Sequence, residues 1–198
     1  MRIFLVAILA LTLILQSCSG QTQSKKKEVY NKDFNWTITI PENFDTVSVK
    51  EWTRLQNKGL DAVEKTYEGK VENIAKTIFV FKNDQLNYFE ANYQPFDSTT
   101  DGNYLENFRN VNDILYGTFK AQMPDAKLDS ASSTEVISGF TFQTFKVTIY
   151  FPNKMIMEFW MYSRLFGKRE FTVNILTVDK QKQKALFDAW KNSKFGQK

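Results

Sequence analysis

The side chains that most often carry chemistry are sparse in this chain. It has no histidine and one cysteine, Cys18. Losing histidine removes the group that titrates near neutral pH, and with it the commonest general base and metal ligand. One thiol allows neither an intramolecular disulfide nor a Cys/His zinc set. Glycine-rich phosphate loops and a Gly-x-Ser-x-Gly elbow are absent, and Asp97–Gly102 has too few alternating carboxylates for a calcium loop. A Ser-x-x-Lys match at Ser24–Lys27 falls in a polar stretch that cannot hold a catalytic geometry. What remains is a carboxylate pair, Glu158 and Glu170, which would have to converge in a cleft to hydrolyse a glycosidic bond. Cross-strand pairing with Lys146 or Arg164 is the simpler role for both. We therefore read no catalytic residue, no metal site and no cofactor, and expect a non-enzymatic protein.

Aromatic surface is the other resource, with 18 Phe, 8 Tyr and 4 Trp. Tyr150, Trp160 and Tyr162, with Arg164 beside them, are the candidates for a partner or ligand surface, because such rings bring apolar area with a polar handle. The same rings would also suit a sheet face covered by a helix.

Cys18 has a specific setting. Met1-Arg2 is a short positive start, Ile3–Leu15 is apolar except for Thr12, and Leu15-Gln16-Ser17-Cys18 comes next. The apolar run is too short to span a bilayer, which takes about 20 residues, but it fits a signal-peptide core. Leu-Gln-Ser-Cys resembles the bacterial lipobox, in which the chain is cut before the cysteine and the thiol carries lipid. Residues 1–17 are then a signal peptide, and 18–29 are a lipidated cysteine with a flexible tether. Ser19, rather than Asp, resembles lipoproteins sorted to the outer membrane, so the expected location is its periplasmic face. An ordinary signal peptide would leave the cysteine incidental.

The formal charge of +4 is misleading for the domain. Arg2 and Lys25, Lys26 and Lys27 supply the surplus, and the chain from Glu28 to Lys198 is neutral. A basic groove that would neutralise phosphates is not indicated, so nucleic acid is not an expected partner.

The elements that must position any site fall in residues 30–198. Phe34–Ile40 alternates apolar and polar residues and stops at Pro41, so it reads as a strand. A short extended piece is expected at 46–49. Trp52, Leu55, Leu60, Val63 and Tyr67 mark a helix over 50–68, with Gly59 a place where it could break. Strands are expected at 74–82 and 89–94. Leu105, Phe108, Val111, Leu115 and Phe119 mark a helix over 104–123 that ends at Pro124. After a weak strand at 127–138, three period-2 runs from Phe140 to Val178 form an antiparallel meander. Three-residue connections at 152–154 and 166–168 would put Phe145, Val147, Ile149, Met157, Phe159, Met161, Phe171, Val173 and Ile175 on one face. Lys146, Tyr150, Glu158, Trp160, Tyr162, Arg164, Thr172 and Leu176 would then share the other. Asp179 caps a last helix near 181–191.

This element order, with Ile40-Pro41-Glu42-Asn43-Phe44 after the opening strand and Ser193-Lys194-Phe195 at the end, resembles the PsbP/Mog1-like superfamily over Phe34–Phe195. Asn43-Phe44 stands where that family often has Gly-Trp. The resemblance implies an α+β fold, an antiparallel β-sheet with helices on its faces in an α/β/α sandwich. It implies no shared catalytic residues. The expected role is a lipid-anchored accessory module that binds a protein partner or assists assembly. A carrier of a small ligand in an aromatic pocket is the alternative, with a carboxylate hydrolase behind it.

Overall fold

Alternation, capping and turn chemistry each leave a visible mark on the architecture. The computed structural model describes residues 27–68, 70 and 73–196. Cys18 and the expected signal peptide lie outside them. The elements in order are β1 (Lys27–Asn31), β2 (Trp36–Ile40), β3 (Asp45–Thr46), α1 (Val49–Tyr67), β4 (Lys76–Asp84), β5 (Asn87–Pro95) and α2 (Tyr104–Gln122). Then come β6 (Lys127–Ile137), β7 (Phe140–Tyr150), β8 (Ile156–Phe166), β9 (Arg169–Thr177), α3 (Lys180–Lys191) and β10 (Lys194–Phe195). They form a seven-stranded antiparallel sheet, β3-β4-β5-β9-β8-β7-β6, and a small sheet, β1-β2-β10. The α+β architecture is the one expected. β1 starts at Lys27, inside the stretch read as tether, and its pairing with β2 accounts for the difference.

Helix starts obey side-chain capping. Ser48 accepts from the Glu51 amide at 3.2 Å, Asn103 accepts from Leu105 and Glu106, and Asp179 accepts from Gln181 and Lys182. α1 runs through Gly59 without a break, and of its apolar stripe only Trp52 is buried. Tyr67 is instead exposed, its hydroxyl donating to the Ile114 carbonyl of α2 at 3.2 Å.

Both faces of the large sheet are covered. On one, α2 packs Phe108 against Phe145, Val147, Ile149, Met157, Phe159, Met161 and Leu176. On the other, α3 and the small sheet bring Leu186, Trp190, Trp36, Ile38 and Phe195 onto Phe89, Phe142, Tyr162, Phe171, Val173 and Ile175. We call these the α2 face and the α3 face.

The register corrects one expectation. Across β7 and β8, Val147 opposes Phe159 and Phe145 opposes Met161, as parity requires. Across β8 and β9, however, Phe166 opposes Arg169, leaving only Gly167 and Lys168 as the turn. Gly167 has φ +63°, and a glycine of positive φ at the first central position is what a two-residue hairpin turn takes. β9 is therefore flipped relative to the three-residue reading. Phe171, Val173 and Ile175 join Trp160 and Tyr162 on the α3 face, and Leu176 joins Phe159.

Candidate functional site

Of the four residues singled out for a surface, the structure brings all to the α3 face but leaves one well exposed. Tyr150 is 39% exposed, with the Lys127 ammonium 5.6 Å from its ring centre. Trp160 is half-buried under Phe187 of α3, edge-to-face at 5.1 Å, with Lys146 4.7 Å from its ring centre. Tyr162 is fully buried and its hydroxyl donates to Glu135 at 3.0 Å. Arg164 lies over Phe140 and Phe166 and donates to the Thr141 carbonyl at 2.7 Å. Trp160 and Tyr162 are thus committed to packing beneath α3, and Arg164 to the rings of Phe140 and Phe166.

The carboxylate pair is split. Glu158 opposes Thr177 on the α3 face, whereas Glu170 opposes Leu165 on the α2 face, so the two cannot converge in one cleft. Glu158 is buried at the rim of a recess of about 260 Å³ lined by Ile156, Thr177, Asp179 and Lys180. It accepts from Lys146 at 3.0 Å, from Lys180 at 3.2 Å and from Gln183. Burial pushes its carboxyl up, but those hydrogen bonds outweigh burial and hold it below the usual glutamate range. A carboxyl depressed in the folded state stabilises above its unfolded value, about 4.3, and loses that contribution as pH falls through the folded value. Glu158→Gln should therefore flatten the acid limb of a melting-temperature profile below about pH 5. An acid limb as steep as the parent's would remove Glu158 as its source.

A second set of polar groups, Glu170 aside, escaped the sequence reading. On the α2 face, cross-strand pairs Glu90 with Asn174, Asn92 with Thr172 and Gln94 with Glu170 form a polar block on β5 and β9. Thr77 extends it onto β4, opposite Asn92, and Ser163 onto β8, opposite Thr172. Glu90 and Glu170 are each 6% exposed and have no cationic partner among the described residues. Glu90 accepts from Trp52 Nε1 at 2.7 Å, Gln56 at 2.8 Å and Asn174 at 3.1 Å. Glu170 accepts from Ser163 at 2.6 Å and Gln94 at 2.8 Å, and Ser163 accepts from Tyr104 at 2.9 Å. Burial pushes the Tyr104 hydroxyl up to about 12, so it stays a donor. The sequence signal existed: Phe89-Glu-Ala-Asn-Tyr-Gln94 alternates an apolar face with a polar one.

The third feature is β6. It is eleven residues long, pairs with β7 over its whole length without a bulge, and forms the outer edge of the sheet. Ser130, Ala131, Ser132, Ser133 and Thr134 are all exposed there. Proline, a bulge or a mid-strand charge would blunt such an edge, and Ser130–Thr134 has none of them.

A seven-stranded antiparallel sheet between a helical layer and a second layer of α3 with a small sheet is an α+β fold like that of cyanobacterial PsbP. The chain is similar to the solution structure of cyanobacterial PsbP (CyanoP) from Synechocystis, with TM-score 0.56, 13% identity, and coverage of 92% of this chain and 99% of that one. It also matches a protein from Bacteroides thetaiotaomicron, with TM-score 0.48, 8% identity, and coverage of 87% and 49%. For the Saccharomyces cerevisiae Ran-binding protein Mog1p the values are 0.37, 9%, and 82% of each chain. No family model and no curated protein matches the sequence. At these identities the likeness is one of fold.

Proposed function

We propose that this chain is a non-enzymatic accessory lipoprotein, held by lipid on Cys18 at the periplasmic face of a bacterial outer membrane. Its domain binds an extended segment of a partner polypeptide along β6. The observation that carries the reading is the unblunted eleven-residue edge of small exposed side chains, which offers a row of main-chain donors and acceptors to an added strand. Tyr150 flanks that edge on the neighbouring strand β7, opposite Lys127, and supplies an aromatic contact for a bound segment.

Adjacent residues of an antiparallel edge strand point their N–H groups in opposite directions. Proline at one of Ser132 and Ser133 therefore removes an outward N–H and leaves the sheet intact, while proline at the other breaks a bond to β7. The expected result is that one variant keeps the parent melting temperature and loses crosslinks to its partner in cells, while the other is destabilised. If the stable variant crosslinks as the parent does, β6 is not the docking edge.

A further inference from the structure

We infer that the polar block on the α2 face, between α1 and the start of α2, is a binding site for a short neutral saccharide. A sheet face beneath helices is ordinarily apolar, as the lower half of this one is under α2. Here Thr77, Asn92 and Thr172 stand side by side on β4, β5 and β9. All three are half-buried, and none has a side-chain partner among the described residues. The buried Oδ1 atom of Asn174 is likewise unpartnered. Buried polar atoms ordinarily find partners, and the half-buried hydroxyls and amide beside Asn174 are free to take a ligand's hydrogen bonds.

The frame of the block is already fixed. Glu90 is held by Trp52, Gln56 and Asn174, and Glu170 by Ser163 and Gln94. The open groups are hydroxyls and amides, and among the described residues no lysine or arginine pairs with either carboxylate, so an anionic ligand is disfavoured. Strands lie about 4.8 Å apart, which sets the open groups at a spacing close to the size of one pyranose ring. Hydroxyl-rich rings both donate and accept, which matches amide oxygens, amide nitrogens and hydroxyls together. Trp52 and Tyr104 stand at opposite ends of the block, each tied into it by a hydrogen bond.

The test is titration of the full chain with maltose, cellobiose and N,N′-diacetylchitobiose, read by calorimetry and amide NMR, with spermidine as the cationic comparison. One of the disaccharides should give saturable shifts confined to β4, β5 and β9. Thr172→Val, which is isosteric, and Asn92→Leu should each weaken that binding at least tenfold. Because the deleted groups have no internal partner, neither variant should melt below the parent. The inference fails if none of the three saturates by about 10 mM, the weak end of specific binding, or if only spermidine does. It also fails if both variants bind normally, or if both melt lower, which would make the groups structural.

Discussion

A Cys18→Ala chain is expected to leave the membrane fraction and to take up no labelled palmitate. In the proposed anchoring, acyl chains on this one thiol supply the membrane affinity, at about 0.8 kcal/mol for each buried CH₂. Among the described residues no helix is long and apolar enough to cross a membrane. Ile3–Leu15 also falls short of a span. Fractionation with metabolic labelling checks the outcome, and a mutant still membrane-bound with wild-type processing would overturn the lipobox reading. Because β1 begins at Lys27, only Ser19–Lys26 separate the cysteine from the sheet, a reach of at most about 28 Å. Lys27 Nζ lies 3.5 Å from Thr46 of β3, at the edge of the large sheet opposite β6. Six strand spacings, about 29 Å, separate that edge from β6, the edge proposed for docking. In the proposed anchoring, such a short leash would raise the local concentration of the domain for partners at the same membrane and leave β6 turned away from the attachment point.

The fold is legible because most strands and all three helices among the described residues announce themselves locally. Trp36, Ile38 and Ile40 alternate, Asp179 caps, and Pro124 stops α2. Parity misplaces the register of β9 because both candidate faces are apolar. With Phe171, Val173 and Ile175 on one side and Leu176 on the other, hydrophobic pattern cannot choose, and the choice passes to the turn. Gly167 holds that information, since a leading glycine of positive φ selects a two-residue loop. The same slip places Glu170 beside Glu158, whereas the flip carries it to the α2 face with Ser163 and Gln94. Tyr162 shows a different limit. Its alternation with Trp160 marks a shared face, but whether that face is wet depends on α3, which arrives from later in the chain. The polar block is readable only in pieces, because its pairs join residues about 80 positions apart, such as Glu90 and Asn174.

Trp190→Ala should be among the most damaging single substitutions in the domain, costing about 4–5 kcal/mol in urea unfolding monitored by circular dichroism. Trp190 is fully buried and meets Trp36, Tyr162, Phe142, Phe171 and Phe195 with ring centres 5.2–6.4 Å apart. It joins α3 to the large sheet and to both β2 and β10 of the small one. α3 has twelve residues and buries only Leu186 besides Trp190, and an isolated helix of that length is marginal in water. Without the indole the helix loses its main attachment, and α3, β2 and β10 should loosen together. Against a total stability of about 5–15 kcal/mol, that loss leaves little margin. Trp190→Phe separates packing from polarity. The indole Nε1–H is buried without a partner, a state that costs about 1–3 kcal/mol, and phenylalanine removes it while keeping most of the ring contacts. The phenylalanine variant should thus lie within about 1.5 kcal/mol of the parent. If instead alanine costs less than about 1 kcal/mol with helicity unchanged, the aromatic cluster is not what joins α3 to the sheet.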